Sequence, residues 1–80
     1  MTIMTISQLK CGERATIKGF LATAQAYKHK LLAMGLTPGT VFTLSRVAPL
    51  GDPIQIQVRG YSLSLRKQEA MVMQIEKVDV

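Results

Sequence analysis

Apolar and polar residues alternate most regularly over residues 54–59, where Ile54, Ile56 and Val58 fall on one face of an extended chain and Gln55, Gln57 and Arg59 on the other. A period of two with one polar face predicts a strand in a sheet that is wet on one side. Residues 40–48 form the longest strand candidate, and Pro49, Gly51, Asp52 and Pro53 interrupt the chain between the two runs. Proline cannot donate to a ladder and Gly51-Asp52 tolerates turn dihedrals, so a hairpin is expected here. After Gly60, the residues Tyr61, Leu63 and Leu65 alternate with Ser62 and Ser64, which predicts a further strand with Tyr61 on its core face. Residues 66–70 read as a short helical turn and residues 71–76 as the last strand, with Met71, Met73 and Ile75 on one face.

The first part of the chain is less regular. Residues 2–10 alternate weakly and lead through Cys11, Gly12 and Glu13 into a first strand at 15–20, where Gly19 marks a bulge or a close backbone approach. Over residues 24–34 the period changes to that of a helix. Tyr27, Leu31 and Met34 make an inward stripe, with Lys28, His29 and Lys30 facing largely away. Gly35 suits the left-handed residue after the helix, Leu36 can pack back on Leu31, and Pro38 prevents continuation. Pro38-Gly39 then fits the centre of a type II turn. The sum is a mainly β fold of five short strands with one short α-helix inserted after the first. Short, twisted strands of this kind are expected to curl into a small barrel.

Eighty residues allow a single domain, residues 1–80, with one modest core. Phe20, Tyr27, Phe42 and Tyr61 are the only aromatics, so aliphatic residues and Met must fill the interior. One cysteine, Cys11, excludes an internal disulfide, and the first residues lack a secretory pattern, so a reducing cytoplasm is expected. The longest apolar stretch, residues 31–36, is far short of the ~20 residues that cross a bilayer. The net charge of +5 favours acidic partners, although the basic residues are scattered and only Arg66 and Lys67 are adjacent.

Three segments together carry a family likeness. Residues 27–39 (YKHKLLAMGLTPG), 46–53 (RVAPLGDP) and 60–70 (GYSLSLRKQEA) resemble the FeoA family of bacterial ferrous-iron uptake, in order and over nearly the whole chain. The resemblance implies an SH3-like barrel without enzymatic activity, in partnership with the membrane GTPase transporter FeoB. It extends to the small C-terminal domain of iron-dependent repressors, which supplies the alternative of a nucleic-acid-associated regulatory module.

The candidate chemistry is sparse. His29 and Cys11 are the only residues of their kinds, too few for the ligand sets of iron or structural zinc sites, so no metal and no cofactor is expected. No nucleophile elbow or phosphate loop is present, and the carboxylates are dispersed, so no catalytic residues are named. Aromatic and basic residues interleave too thinly for a nucleic-acid platform, and no nucleic-acid partner is expected. The remaining expectation is protein docking. Leu32, Met34 and Leu36 at the helix end form its apolar part, flanked by the cations Lys28, Lys30, Arg59 and Arg66. Gly35, Pro38, Gly39, Gly51, Asp52, Pro53 and Gly60 shape the turns around it. A weak homo-oligomer through the edge of the last strand, residues 71–76, is a further expectation.

Overall fold

The computed structural model describes residues 3–22 and 25–78. Its elements run β1 (Arg14–Phe20), α1 (Gln25–Ala33), β2 (Val41–Val47), β3 (Ile54–Val58), β4 (Tyr61–Leu65), α2 (Lys67–Ala70) and β5 (Met73–Val78). The expected helix start at Ala24 lies outside the described residues, as does Thr2. The strands form one antiparallel sheet in the order β4-β3-β2-β1-β5.

Alternation sets which side chains go inward. Ile54, Ile56 and Val58 are all buried on β3, as the period of two predicts. Full burial of such a side chain stabilises by roughly 1.5–3 kcal/mol, so this face of β3 alone is a large part of the core. Ala15 and Ile17 of β1, Phe42 and Leu44 of β2, Leu65 of β4 and Met73 and Ile75 of β5 join the same cluster. Residues of both edge strands therefore share one interior, which requires the sheet to curl. The register breaks between Ile17 and Gly19 and between Leu44 and Arg46 supply that bend. A Cβ on Gly19 would meet only Gln74 Oε1 at 3.5 Å, so of the two readings of this glycine the bulge is the one realised.

The helix ends as its sequence predicts. Leu36 N–H donates to Leu31 O and Gly35 N–H to Leu32 O, both at 3.0 Å, and Gly35 has φ +91°. This is the paired hydrogen bonding of a Schellman end, with Leu31 and Leu36 both fully buried. Thr40 N–H then bonds Thr37 O at 3.0 Å across Pro38 and Gly39, whose φ of +93° completes the type II turn.

Several expectations change in the folded chain. Tyr27 is 37% exposed rather than part of the inward stripe, and its hydroxyl donates to Gln68 Oε1 of α2 at 3.3 Å. Tyr61 is likewise 42% exposed, at the start of β4 where the strand leaves the core. The last strand begins at Met73, and Met71 closes α2 instead. A single 3₁₀ turn, Ile6–Gln8, was not expected; it plants Ile6 in the core. Just before it, Met4 exchanges backbone bonds with Ile75 at 2.8 and 2.9 Å. The β5 edge expected to meet a second copy is thus paired at this point by the chain's own N-terminal segment.

Candidate functional site

The helix end and the β3–β4 hairpin are brought together. Tyr61 Oη donates to Met34 O at 3.3 Å, and a Cβ on Gly35 would stand 3.0 Å from the same hydroxyl oxygen. Arg59 and Gly60 form the two-residue hairpin turn, both at positive φ, +48° and +87°. From there Arg59 Nη2 donates to Thr40 Oγ1 at 3.4 Å, which in turn lies 3.0 Å from Thr37 Oγ1. The turns before β2 and between β3 and β4 are therefore joined by side chains.

The expected apolar anchors are mostly spoken for. Leu36 is fully buried, so it cannot meet a partner; as the apolar residue of the Schellman end its side chain belongs to the core. Met34 is half-buried and packs against the core, and Leu32 is half-buried. Lys28 is half-buried on α1.

Lys30 and Arg66 meet around one hollow of about 410 Å³, lined also by Asp52, Pro53, Ser64, Leu65 and Glu69. Glu69, at 4% exposure, organises it. Its Oε2 pairs with Lys30 Nζ, and its Oε1 accepts the Arg66 backbone N–H at 3.0 Å. The Lys30 ammonium, then that N–H, hold the Glu69 carboxyl below the ordinary carboxylate range against the opposing cost of burial. Asp52 is more than a turn residue, since its Oδ1 accepts the Lys67 N–H at 3.1 Å and so ties the β2–β3 hairpin to α2.

Arg59 stands at the far end of β4 from Arg66, so the predicted cations bracket one strand instead of forming a patch. A second, smaller hollow of about 240 Å³ lies beside the same strand, lined by Arg46, Ala48, Pro53, Gln55 and Ser64. Sequence reasoning missed two exposed features. Tyr61 was assigned inward on alternation alone, and Leu50 is 94% exposed at the tip of the β2–β3 hairpin. The available signal for Leu50 was a large apolar residue between Pro49 and Gly51, where turns are ordinarily polar. Among the described residues no group of three or more His, Cys, Asp or Glu could hold a metal ion, and no helix is long and apolar enough to cross a membrane.

Comparison with known proteins agrees with this geometry. The chain is similar to the fusion of Fe(2+) transport protein A with Fe(2+) transporter FeoB from Porphyromonas gingivalis, 29% identical over 75 residues. That match covers 94% of this chain and 9% of the relative, so the chain spans less than a tenth of its length. The FeoA-like protein of Clostridium acetobutylicum superposes with a TM-score of 0.88 at 32% identity, over 100% of this chain and 93% of that one. The zinc complex of Stenotrophomonas maltophilia FeoA, described as a prokaryotic SH3 domain protein, gives a TM-score of 0.76 at 24% identity over 91% and 89% of the two chains. At that identity the likeness shows the fold alone, and the fold is the SH3-like one. The FeoA domain model matches residues 4–77, and the chain belongs to the FeoA family.

Proposed function

We propose that this protein is a non-catalytic cytoplasmic accessory of ferrous-iron uptake that docks on a FeoB-type membrane transporter and modulates its transport. One observation carries the reading: in the Porphyromonas gingivalis relative, a segment similar to this chain is part of the same polypeptide as the transporter. Two activities joined in one chain are held at high effective concentration, which is an advantage when the separate forms must meet. Rim cations such as Arg59 and Arg66 steer the approach of an acidic surface more than they add affinity.

The test is co-purification. The tagged full chain is incubated with detergent-solubilised membranes containing the FeoB-type transporter, with and without nuclease. Recovery of the transporter under both conditions is the expected result. Recovery of nuclease-sensitive material alone overturns the reading in favour of a regulatory module that works on nucleic acid.

A further inference from the structure

The edge of the sheet at β4 is unlike the edge at β5. Met4 pairs with β5 at Ile75, whereas β4 has β3 on one side and, among the described residues, no strand on the other. The two-residue turn at Arg59 and Gly60 makes Val58 and Tyr61 the closing pair of the hairpin. In an antiparallel ladder hydrogen-bonded and non-hydrogen-bonded pairs then alternate, so Ile56–Leu63 and Ile54–Leu65 exchange bonds while Gln57–Ser62 and Gln55–Ser64 do not. The N–H and C=O of Ser62 and Ser64 therefore point away from β3, and they have no backbone partner among the described residues. Both serines are exposed.

Ser64 also lies between the two hollows. One of about 410 Å³ runs toward Lys30 and Arg66, and the other of about 240 Å³ toward Arg46 and Gln55. An added strand sends successive side chains to opposite faces, so neighbouring residues of one extended segment match a hollow on each side. The charges decide which segment. Arg46, Arg59 and Arg66 lie about the edge, while Lys30 and Glu69 pair with each other and Asp52, whose Oδ1 accepts the Lys67 N–H, keeps its charge, so the edge retains an excess of cations. A second copy added antiparallel would set Arg59 of one chain near Arg66 of the other, a like-charge contact that opposes self-pairing.

We propose that β4 is the docking edge of this protein, taking an extended acidic segment of a partner protein as an added strand. The inference deepens the accessory reading and rests on it for the partner's identity, but its mechanism is tested separately.

The probe is a blocked ten-residue peptide alternating Val and Glu, added to the isotopically labelled full chain while amide hydrogen exchange is followed by NMR. When the peptide is present at ten times its Kd, exchange at Ser62 and Ser64 slows about tenfold while that at His29 on α1 is unchanged. A Val/Lys peptide and a Val/Glu peptide methylated at every backbone nitrogen give no such protection, the first for its charge and the second because neither of its edges keeps a backbone donor. Equal protection by the N-methylated peptide, or none by Val/Glu at millimolar concentration, overturns the proposal. Ser64→Pro then enters the co-purification. Proline is tolerated on an edge whose N–H faces solvent, and circular dichroism confirms the fold before use. Loss of the transporter with this variant places the segment on β4. Retained capture overturns the edge assignment while leaving the accessory reading intact, and protection by the peptide without capture by the wild-type chain does the reverse.

Discussion

Arg59 occupies the first position of a hairpin turn at φ +48°, where Asn or Gly is ordinarily found and an arginine is strained by roughly 1 kcal/mol or more. Its side chain makes a single long hydrogen bond, 3.4 Å to Thr40 Oγ1, too little to explain its presence on stability grounds. Arg59→Asn is expected to raise stability by up to about 1 kcal/mol in urea denaturation and to weaken transporter capture, most clearly at low salt. A variant that is more stable and binds equally well removes Arg59 from the docking surface. Another local device recurs along the chain. Thr5 N–H bonds Gln8 Oε1 at 2.9 Å, Lys10 N–H bonds Glu13 Oε1 at 2.7 Å, and Arg66 N–H bonds Glu69 Oε1 at 3.0 Å. Each side chain satisfies a backbone donor three residues back, the half of a capping box that starts a tight turn.

At the scale of elements, two of the ion-paired glutamates shape the pH response. Glu69 and Glu13 both have carboxyl groups held below the ordinary range, by Lys30 and by Lys77 respectively, each helped by one of these backbone N–H groups. A pKa depressed by folding stabilises the native state above the unfolded-state value and loses that contribution as pH falls through the folded value. The melting temperature is therefore expected to hold from pH 7 to about 5 and then to drop below about pH 4. Glu69→Gln is expected to lower it at pH 7 and to flatten part of the acid drop, with Glu13 supplying the rest. A parallel drop in the variant assigns the acid sensitivity elsewhere. How far these elements were legible depends on what decides each one. Strand β3 and the end of α1 are local: strict alternation and the run Gly35-Leu36-Thr37-Pro38 leave few alternatives. Tyr27 and Tyr61 were misplaced because each sits where an element leaves the core, and period alone does not say how far the core extends. Leu36 could be read as cap or as contact, and burial decided for the cap.

Across the whole molecule, closure depends on a segment with little pattern of its own. Met4 pairs with Ile75 and Ile6 is 2% exposed, contacts that local alternation cannot announce because their partner lies at the other end of the sequence. Ile6→Ala is expected to cost about 2–5 kcal/mol, a large share of what a domain of this size has, and denaturant titration measures it. A loss under about 1 kcal/mol would mean that the 3₁₀ turn is not part of the core in solution. The candidate site was half legible for a related reason: its cations could be named from the sequence, but the free edge they bracket is a property of strand order. One further consequence follows from how α1 is attached. It contributes a single fully buried side chain, Leu31, and is tied down further by Lys30 to Glu69, Tyr27 to Gln68 and, just past its end, the core packing of Met34 and Leu36, none of which belongs to the strand ladder. The helix is therefore expected to open before the strands do, so native-state hydrogen exchange should show its amides exchanging ahead of those between strands.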